Sequence, residues 1–439
     1  MKMNIHSITR RKFIKTTGAA GVASLLSTLP AVHGAHHKDK IKVGLIGLGG
    51  RGTGAGIIDC ATADPNIELV AMGDLFEDHL NQAKDRIKRN MAKRELPFDK
   101  IYKVTKETMF HGFDAYQKVI DCDVDLIILT TPPVFRPIHF KAAVEAGKHC
   151  FIEKPVAVDP AGVKDIIATS KLAKKKGLTV VAGTQMRRAR HYHALIEQIR
   201  NGSMGEITSG QSTRMGGAML TWREDEAVRR PEWSDMEWQL RRWLFTTWSS
   251  GDFLVEQHVH NLDIVDWIMD SHPTQVTGFG GRQSRTGDAF PNAWDHVSLE
   301  YEYPNGARIS HLGAQIDGIS NRNDLVMAGT KGTMNASFAN ATIHGKSKWK
   351  YDGPTPNPAV EEYRDALHSI KNSDAINEGE RIAQSTMTAI LGRMAAYSGR
   401  SLKWDWAMNA SKLDLTPKTW KFGEHPLAEV AVPGVTKLI

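Results

Sequence analysis

Three short stretches of this 439-residue sequence combine residue types and spacings that could do chemistry. The first is Gly47-Leu48-Gly49-Gly50-Arg51-Gly52. In the pattern G-x-G-x-x-G the first glycine permits a tight turn. The second lets the backbone approach a pyrophosphate, which rests on the positive N-terminal end of the following helix. Asp74 lies 22 residues beyond Gly52, where a carboxylate would accept the ribose hydroxyls of a dinucleotide. Leu75 and Phe76 follow it, with no Arg or Lys to meet a 2′-phosphate, so the pattern favours NAD over NADP.

The second stretch is Glu153-Lys154-Pro155, at the end of an apolar run. A lysine at a strand end can hold a substrate hydroxyl. A positive nicotinamide ring beside it would lower its pKa and help proton transfer. The third is Glu256-Gln257-His258-Val259-His260-Asn261-Leu262-Asp263. On a helix, Glu256, His260 and Asp263 fall at i, i+4 and i+7, one face. Glu256 could then orient His260 as the base that takes a hydroxyl proton. His258 points elsewhere, and two histidines at i, i+2 make a poor helical metal pair, so no metal site is expected. Between these stretches Trp222, Trp233, Trp238, Trp243 and Trp248 mix with Arg223, Arg229, Arg230, Arg241 and Arg242. That mixture could stack on sugar rings and bind their hydroxyls, or could staple a loop.

These residues need a scaffold. Apolar runs at 41–47, 67–74, 124–129, 149–152 and 178–182 alternate with helical stretches, which implies a doubly wound parallel sheet, a Rossmann architecture of α/β class. From about Ile207 the runs alternate apolar with polar residues and are joined by turns such as Pro304-Asn305-Gly306. They imply an α+β domain built on a large, open, mostly antiparallel sheet. One helix, about Asp252–Met269, interrupts it, and two more come late. The expected organisation is a nucleotide-binding domain over 41–155 and a substrate and oligomerisation domain over 156–405. The early part of the second completes the nucleotide fold, and 406–439 wraps the surface.

The combination resembles the glucose–fructose oxidoreductase, inositol dehydrogenase and MocA family over residues 41–400. The marks are the glycine fingerprint, Thr131-Pro132 with His139 in the next helix, Glu153-Lys154-Pro155, and the helix bearing Glu256, His260 and Asp263. The resemblance implies a tightly bound NAD on Gly47–Gly52, Asp74, Thr131, Pro132, His139, Glu153, Lys154 and Gln185. It implies Lys154 and His260 as catalytic residues. Substrate contacts are expected from Lys154, Arg187, Trp222, His260 and Asp263. The sequence departs from the family at Glu256, where many members have Asp, at His258, where many have Gly, and at Pro133, where Asn is usual.

The net charge of +7 is concentrated at the start of the chain. Lys2, Arg10, Arg11, Lys12 and Lys15 precede residue 35 with no acid among them, leaving about +2 for the rest. That balance gives no electrostatic case for nucleic acid or an anionic membrane. Thr9-Arg10-Arg11-Lys12-Phe13-Ile14-Lys15, an apolar run and the small residues Gly34 and Ala35 read as a twin-arginine signal over 1–35. Export by that machinery to the periplasm is expected, with no lipid anchor because no Cys is near. Cys60, Cys122 and Cys150 are too few for a disulfide framework. Three functional readings stand at this point: a sugar or polyol dehydrogenase; a redox-neutral glycosidase that oxidises, eliminates, hydrates and re-reduces; and a non-catalytic sugar-binding protein. A homo-oligomer is expected, because an open sheet face often pairs with its copy.

Overall fold

A computed structural model describes residues 40–217 and 229–438. Strands β1 (Lys42–Ile46), β2 (Glu68–Asp74), β3 (Met109–His111), β4 (Leu126–Leu129), β5 (His149–Glu153) and β6 (Val180–Gly183) form a parallel sheet in the order β3-β2-β1-β4-β5-β6. All of β4 and four of the five residues of β1 are buried. Helices cover both faces, so these strands read as continuous apolar runs without alternation. Helix Glu77–Ala92 shows the complementary pattern: Leu80, Ala83, Ile87 and Met91, three or four apart, face the core. The strand order reverses between β1 and β4. A ligand crevice opens at such a point, beyond the carboxyl ends of the strands.

The second sheet contains β7 (Ile207–Gly216), β8 (Gln275–Gly281), β9 (His296–Glu302), β10 (Arg308–Gln315), β11 (Arg322–Gly329), β12 (Gly332–Ser337), β13 (Ala341–Gly345), β14 (Trp349–Lys350) and β15 (Leu402–Lys403). Its order is β14-β13-β12-β11-β7-β10-β9-β8-β15, antiparallel except where β7 pairs with β10. The long chain between those two strands permits a parallel pairing. Along β9, Val297, Leu299 and Tyr301 are buried while Glu300 between them is exposed. The packed face meets helix Gly379–Ser398, which is buried along most of its length. The opposite face is open and carries Phe279 at 68% exposure.

The sheet class, the Rossmann order and the long helices match the sequence reading. The short edge strands β3, β14 and β15, the short strand β13 and helix Asp235–Arg241 were not expected from it. The stretch Asp252–Met269 is not one regular helix. A π-helical turn spans Leu254–His258, and the α-helix runs only from Val259 to Met269. No described helix is long and apolar enough to cross a membrane.

Where that helix meets Gly379–Ser398 lies Asp266, which accepts from Tyr303 Oη at 2.7 Å and from Thr388 Oγ1 at 2.7 Å. Burial pushes its pKa up from 3.8 to about 8. The folded-state value lies above the unfolded one, so the contribution of this group is fully present below about pH 4. It is lost as pH rises through about 8. Asp266→Asn should therefore gain stability relative to the parent between about pH 5 and about pH 8, read as the difference in Tm at several pH values. An unchanged difference across that range would contradict the assignment.

Candidate active site

The glycine turn follows β1 and is shaped by close backbone contacts. Gly47 has φ +97°, and a Cβ there would come within 2.7 Å of Thr131 N. A Cβ on Gly52 would lie 2.0 Å from Gly47 O, so both positions demand glycine. Gly49 and Gly50 are different: a Cβ on either meets nothing within 4 Å, so they border open space. Leu48 is buried and adds only its backbone, whose N–H donates to Asp74 Oδ2 at 2.6 Å. Asp74 Oδ1 accepts from Phe76 N at 2.9 Å, with His79 Nδ1 at 3.1 Å. Open glycine backbone at the start of a helix, next to a carboxylate that ends β2, suits a dinucleotide. These residues would hold the pyrophosphate and the adenosine ribose.

Arg51 and Glu153, both expected at the cofactor, join the ends of β1 and β5 to each other. Arg51 Nε lies 2.5 Å from Glu153 Oε1. Glu153 is 2% exposed, and its charge holds the Arg51 guanidinium above its usual pKa. Thr131 ends the loop after β4, and its Oγ1 is 3.3 Å from His139 Nδ1. Pro132 follows it and caps the short turn Pro133–Phe135. His139 is buried and stacked on Tyr116 at 4.2 Å, and burial drives its pKa down to about 3. It serves as a neutral prop for Thr131 beneath the crevice.

Lys154 reaches from the end of β5 to the π-helical turn of the second domain. Its Nζ donates to the Glu256 carbonyl at 2.6 Å and to Glu256 Oε1 at 2.8 Å. An ammonium has three donors, so one remains for a ligand oxygen. Burial lowers the Lys154 pKa, and Glu256 opposes that shift. His260 is 6% exposed, and burial, Lys154, Arg214 and Arg51 hold its pKa well below 6.5. It is a neutral imidazole whose Nδ1 has no hydrogen-bond partner among the described residues.

This geometry corrects two expectations. Glu256 pairs with Lys154 and makes no hydrogen bond to His260, so its carboxylate is committed to the ammonium rather than to the imidazole. Asp263 is not open to substrate, and Arg187 is committed to it. Asp263, 1% exposed, accepts from Arg187 Nε at 2.8 Å, Arg187 Nη2 at 2.9 Å, Ser385 Oγ at 2.5 Å and Arg381 Nη1 at 3.1 Å. Its oxygens are saturated, and the knot fastens the turn Gln185–Arg188 to two helices. Gln185 opens that turn just beyond β6, half-buried.

Trp222 lies outside the described residues. The described part of the Trp–Arg stretch mostly stacks on itself. Arg230 and Arg241 lie over Trp233 at 5.0 Å and 4.9 Å, and Trp248 Nε1 donates to Gln239 at 2.7 Å.

Sequence reasoning passed over several site neighbours. Arg214 on β7 donates to Asn261 Oδ1 at 3.1 Å beside His260. An arginine at a part-buried strand position was the available signal. Arg136, buried below Lys154, donates to the Pro155 carbonyl. His258 is buried with Nδ1 at 2.9 Å from His311 Nε2, and His311 Nδ1 is 3.0 Å from Ser212 Oγ. No group of three or more metal-ligating side chains occurs among the described residues.

Comparison with known proteins agrees with this fold. Residues 41–184 match the oxidoreductase family with the NAD-binding Rossmann fold, and residues 192–335 match the GFO/IDH/MocA C-terminal domain. A 2,7-anhydro-N-acetylneuraminate hydratase of Escherichia coli (strain K12) is 29% identical over 43% of this chain and 44% of that protein. A glycosyl hydrolase family 109 protein of Shewanella baltica (strain OS155) is 24% identical over 69% of this chain and 65% of that protein. The chain thus spans less than two thirds of the length of these curated relatives. The crystal structure of aldose-aldose oxidoreductase from Caulobacter crescentus superposes with TM-score 0.63 at 18% identity, covering 83% of this chain and 99% of that one. Levoglucosan dehydrogenase in complex with NADH and levoglucosan gives TM-score 0.62 at 18% identity, with 83% and 99% covered. On its fold and on both matched domains, the chain belongs to the GFO/IDH/MocA oxidoreductase family.

Proposed function

We propose that this protein oxidises a hydroxyl-bearing carbon of a sugar, sugar derivative or polyol with NAD. The observation that carries the reading is the meeting of Lys154, Glu256 and a neutral His260 where the two sheets join. Bound NAD supplies the hydride acceptor. His260, uncharged and with no hydrogen-bond partner on Nδ1 among the described residues, takes the hydroxyl proton as the carbinol becomes a carbonyl. Lys154 points its remaining N–H at the same oxygen and stabilises the negative charge that develops there. Glu256 keeps that ammonium charged and aimed. Asp74, with no basic residue directly after it, supports NAD over NADP.

A second reading keeps the same residues and has no net redox change. Curated relatives named as glycosyl hydrolase family 109 proteins and as a hydratase favour it. Oxidation would then be followed by elimination, hydration and re-reduction within one turnover. Reduced nicotinamide accumulating with substrate, without an added acceptor, distinguishes the dehydrogenase from that cycle.

Export is part of the proposal and rests on the Arg10-Arg11 pair. A cofactor held through turnover suits a protein that works where free NAD is scarce. Replacing both arginines by Lys should leave uncleaved protein in the cytoplasm, and a processed periplasmic product would overturn this part.

His260→Ala should lower turnover about a hundred- to ten-thousand-fold while bound NAD, measured after denaturation, stays at the parent level. Near-normal turnover in that variant would remove His260 as the base.

A further inference from the structure

The C-terminal segment that follows helix Trp404–Asn409 lies along the mouth of the cofactor crevice. Two loops flank that mouth. One follows Asp74 and carries Phe76, and the other follows Thr131 and carries Phe135. Trp420 packs against Phe135 with ring centres 4.7 Å apart and the rings tilted by 35°, and it reaches Phe113 at 6.1 Å. Phe422 lies parallel to Phe76 at 6.1 Å and contacts Phe113 at 5.1 Å. One short piece of chain therefore bridges the loop after β2 to the loop after β4.

The bridge is anchored on both sides. Leu415 N donates to Asp159 Oδ2 at 2.6 Å. Beyond the aromatic pair, Met236 N donates to the Gly423 carbonyl at 3.2 Å, and Gln239 Nε2 donates to the His425 carbonyl at 2.5 Å. His425 N donates to Asp235 Oδ2 at 3.2 Å. The helix Asp235–Arg241 that makes these bonds is itself fixed to the crevice. Arg241 lies 4.0 Å over the Phe76 ring and pairs with Asp78 at 3.2 Å. Phe422 nevertheless stays 43% exposed and Trp420 is only half-buried, so both keep apolar surface at the edge where the adenosine end of a dinucleotide would enter.

We propose that Trp420 and Phe422 form the outer wall of the adenosine subsite and act as a clasp that slows release of the dinucleotide. This rests on the reading that NAD occupies the Gly47–Gly52 crevice. Flat aromatic faces stack on a purine without regard to its hydrogen bonds, so the clasp adds residence time more than nucleotide selectivity. Differences of this kind appear mainly in the dissociation rate.

The test loads the full-length protein with NADH and chases it with excess NAD, following the loss of bound-NADH fluorescence. Trp420→Ala and Phe422→Ala should each release NADH roughly ten-fold faster or more. Trp420→Phe should release it at close to the parent rate, and the Tm of each variant, taken alongside, reports folding. Phe422→Ala, at an exposed position, keeps the test valid if Trp420→Ala folds poorly. Release at the parent rate from folded Ala variants would reduce the segment to surface packing and overturn the proposal. A parent protein that binds no NADH would instead refute the assignment of the crevice itself.

Discussion

The contact between Lys154 and Glu256 is the constraint on which the site depends. It joins side chains 102 residues apart, one from the end of β5 and one from the π-helical turn of the second domain, at 13% and 12% exposure. A buried pair of this kind is weak evidence for stability, but breaking it by removing one partner costs about 3–5 kcal/mol, because a charge is left stranded. The pairing therefore fixes how the two domains meet at the crevice. It also aims the ammonium, since a point charge on a flexible stem has no preferred direction without its two acceptors. The widened turn matters here, because both the carboxylate and the carbonyl of Glu256 accept from the same nitrogen.

Other charges near the crevice are paired in ways that leave His260 uncharged. Arg51 and Glu153 satisfy each other across two strand ends, and Asp263 is saturated by Arg187, Arg381 and Ser385. Burial and the neighbouring cations Lys154, Arg214 and Arg51 disfavour a proton on the imidazole. A neutral base next to a lysine whose proton Glu256 helps to hold against burial is a division of labour set by environment.

Local physics was legible in the sequence. The glycine turn, the apolar runs of β1 and β4, and Asp74 at the end of β2 are fixed by near neighbours, and each stands where the spacing placed it. The sugar-contact role expected of Asp263 was misread because its partners lie 76, 118 and 122 residues away, beyond any helical or strand period. The link expected between Glu256 and His260 failed for the same reason. Glu256 is taken by Lys154, a partner 102 residues away that leaves no trace in the helical spacing. The aromatic-rich stretch looked like a sugar platform, yet its described arginines and tryptophans mainly stack on one another. The short strands β13, β14 and β15 were invisible because two to five residues carry too little periodicity.

The most direct measurement is the pH dependence of hydride transfer in Glu256→Gln. Glutamine keeps an acceptor for Lys154 but removes the charge that raises its pKa against burial, while Arg136 still lowers it. The alkaline limb of the rate profile, where the ammonium loses its proton, should move to lower pH by about one to three units. A limb that stays in place would show that Glu256 does not hold the charge of Lys154 and would contradict the account.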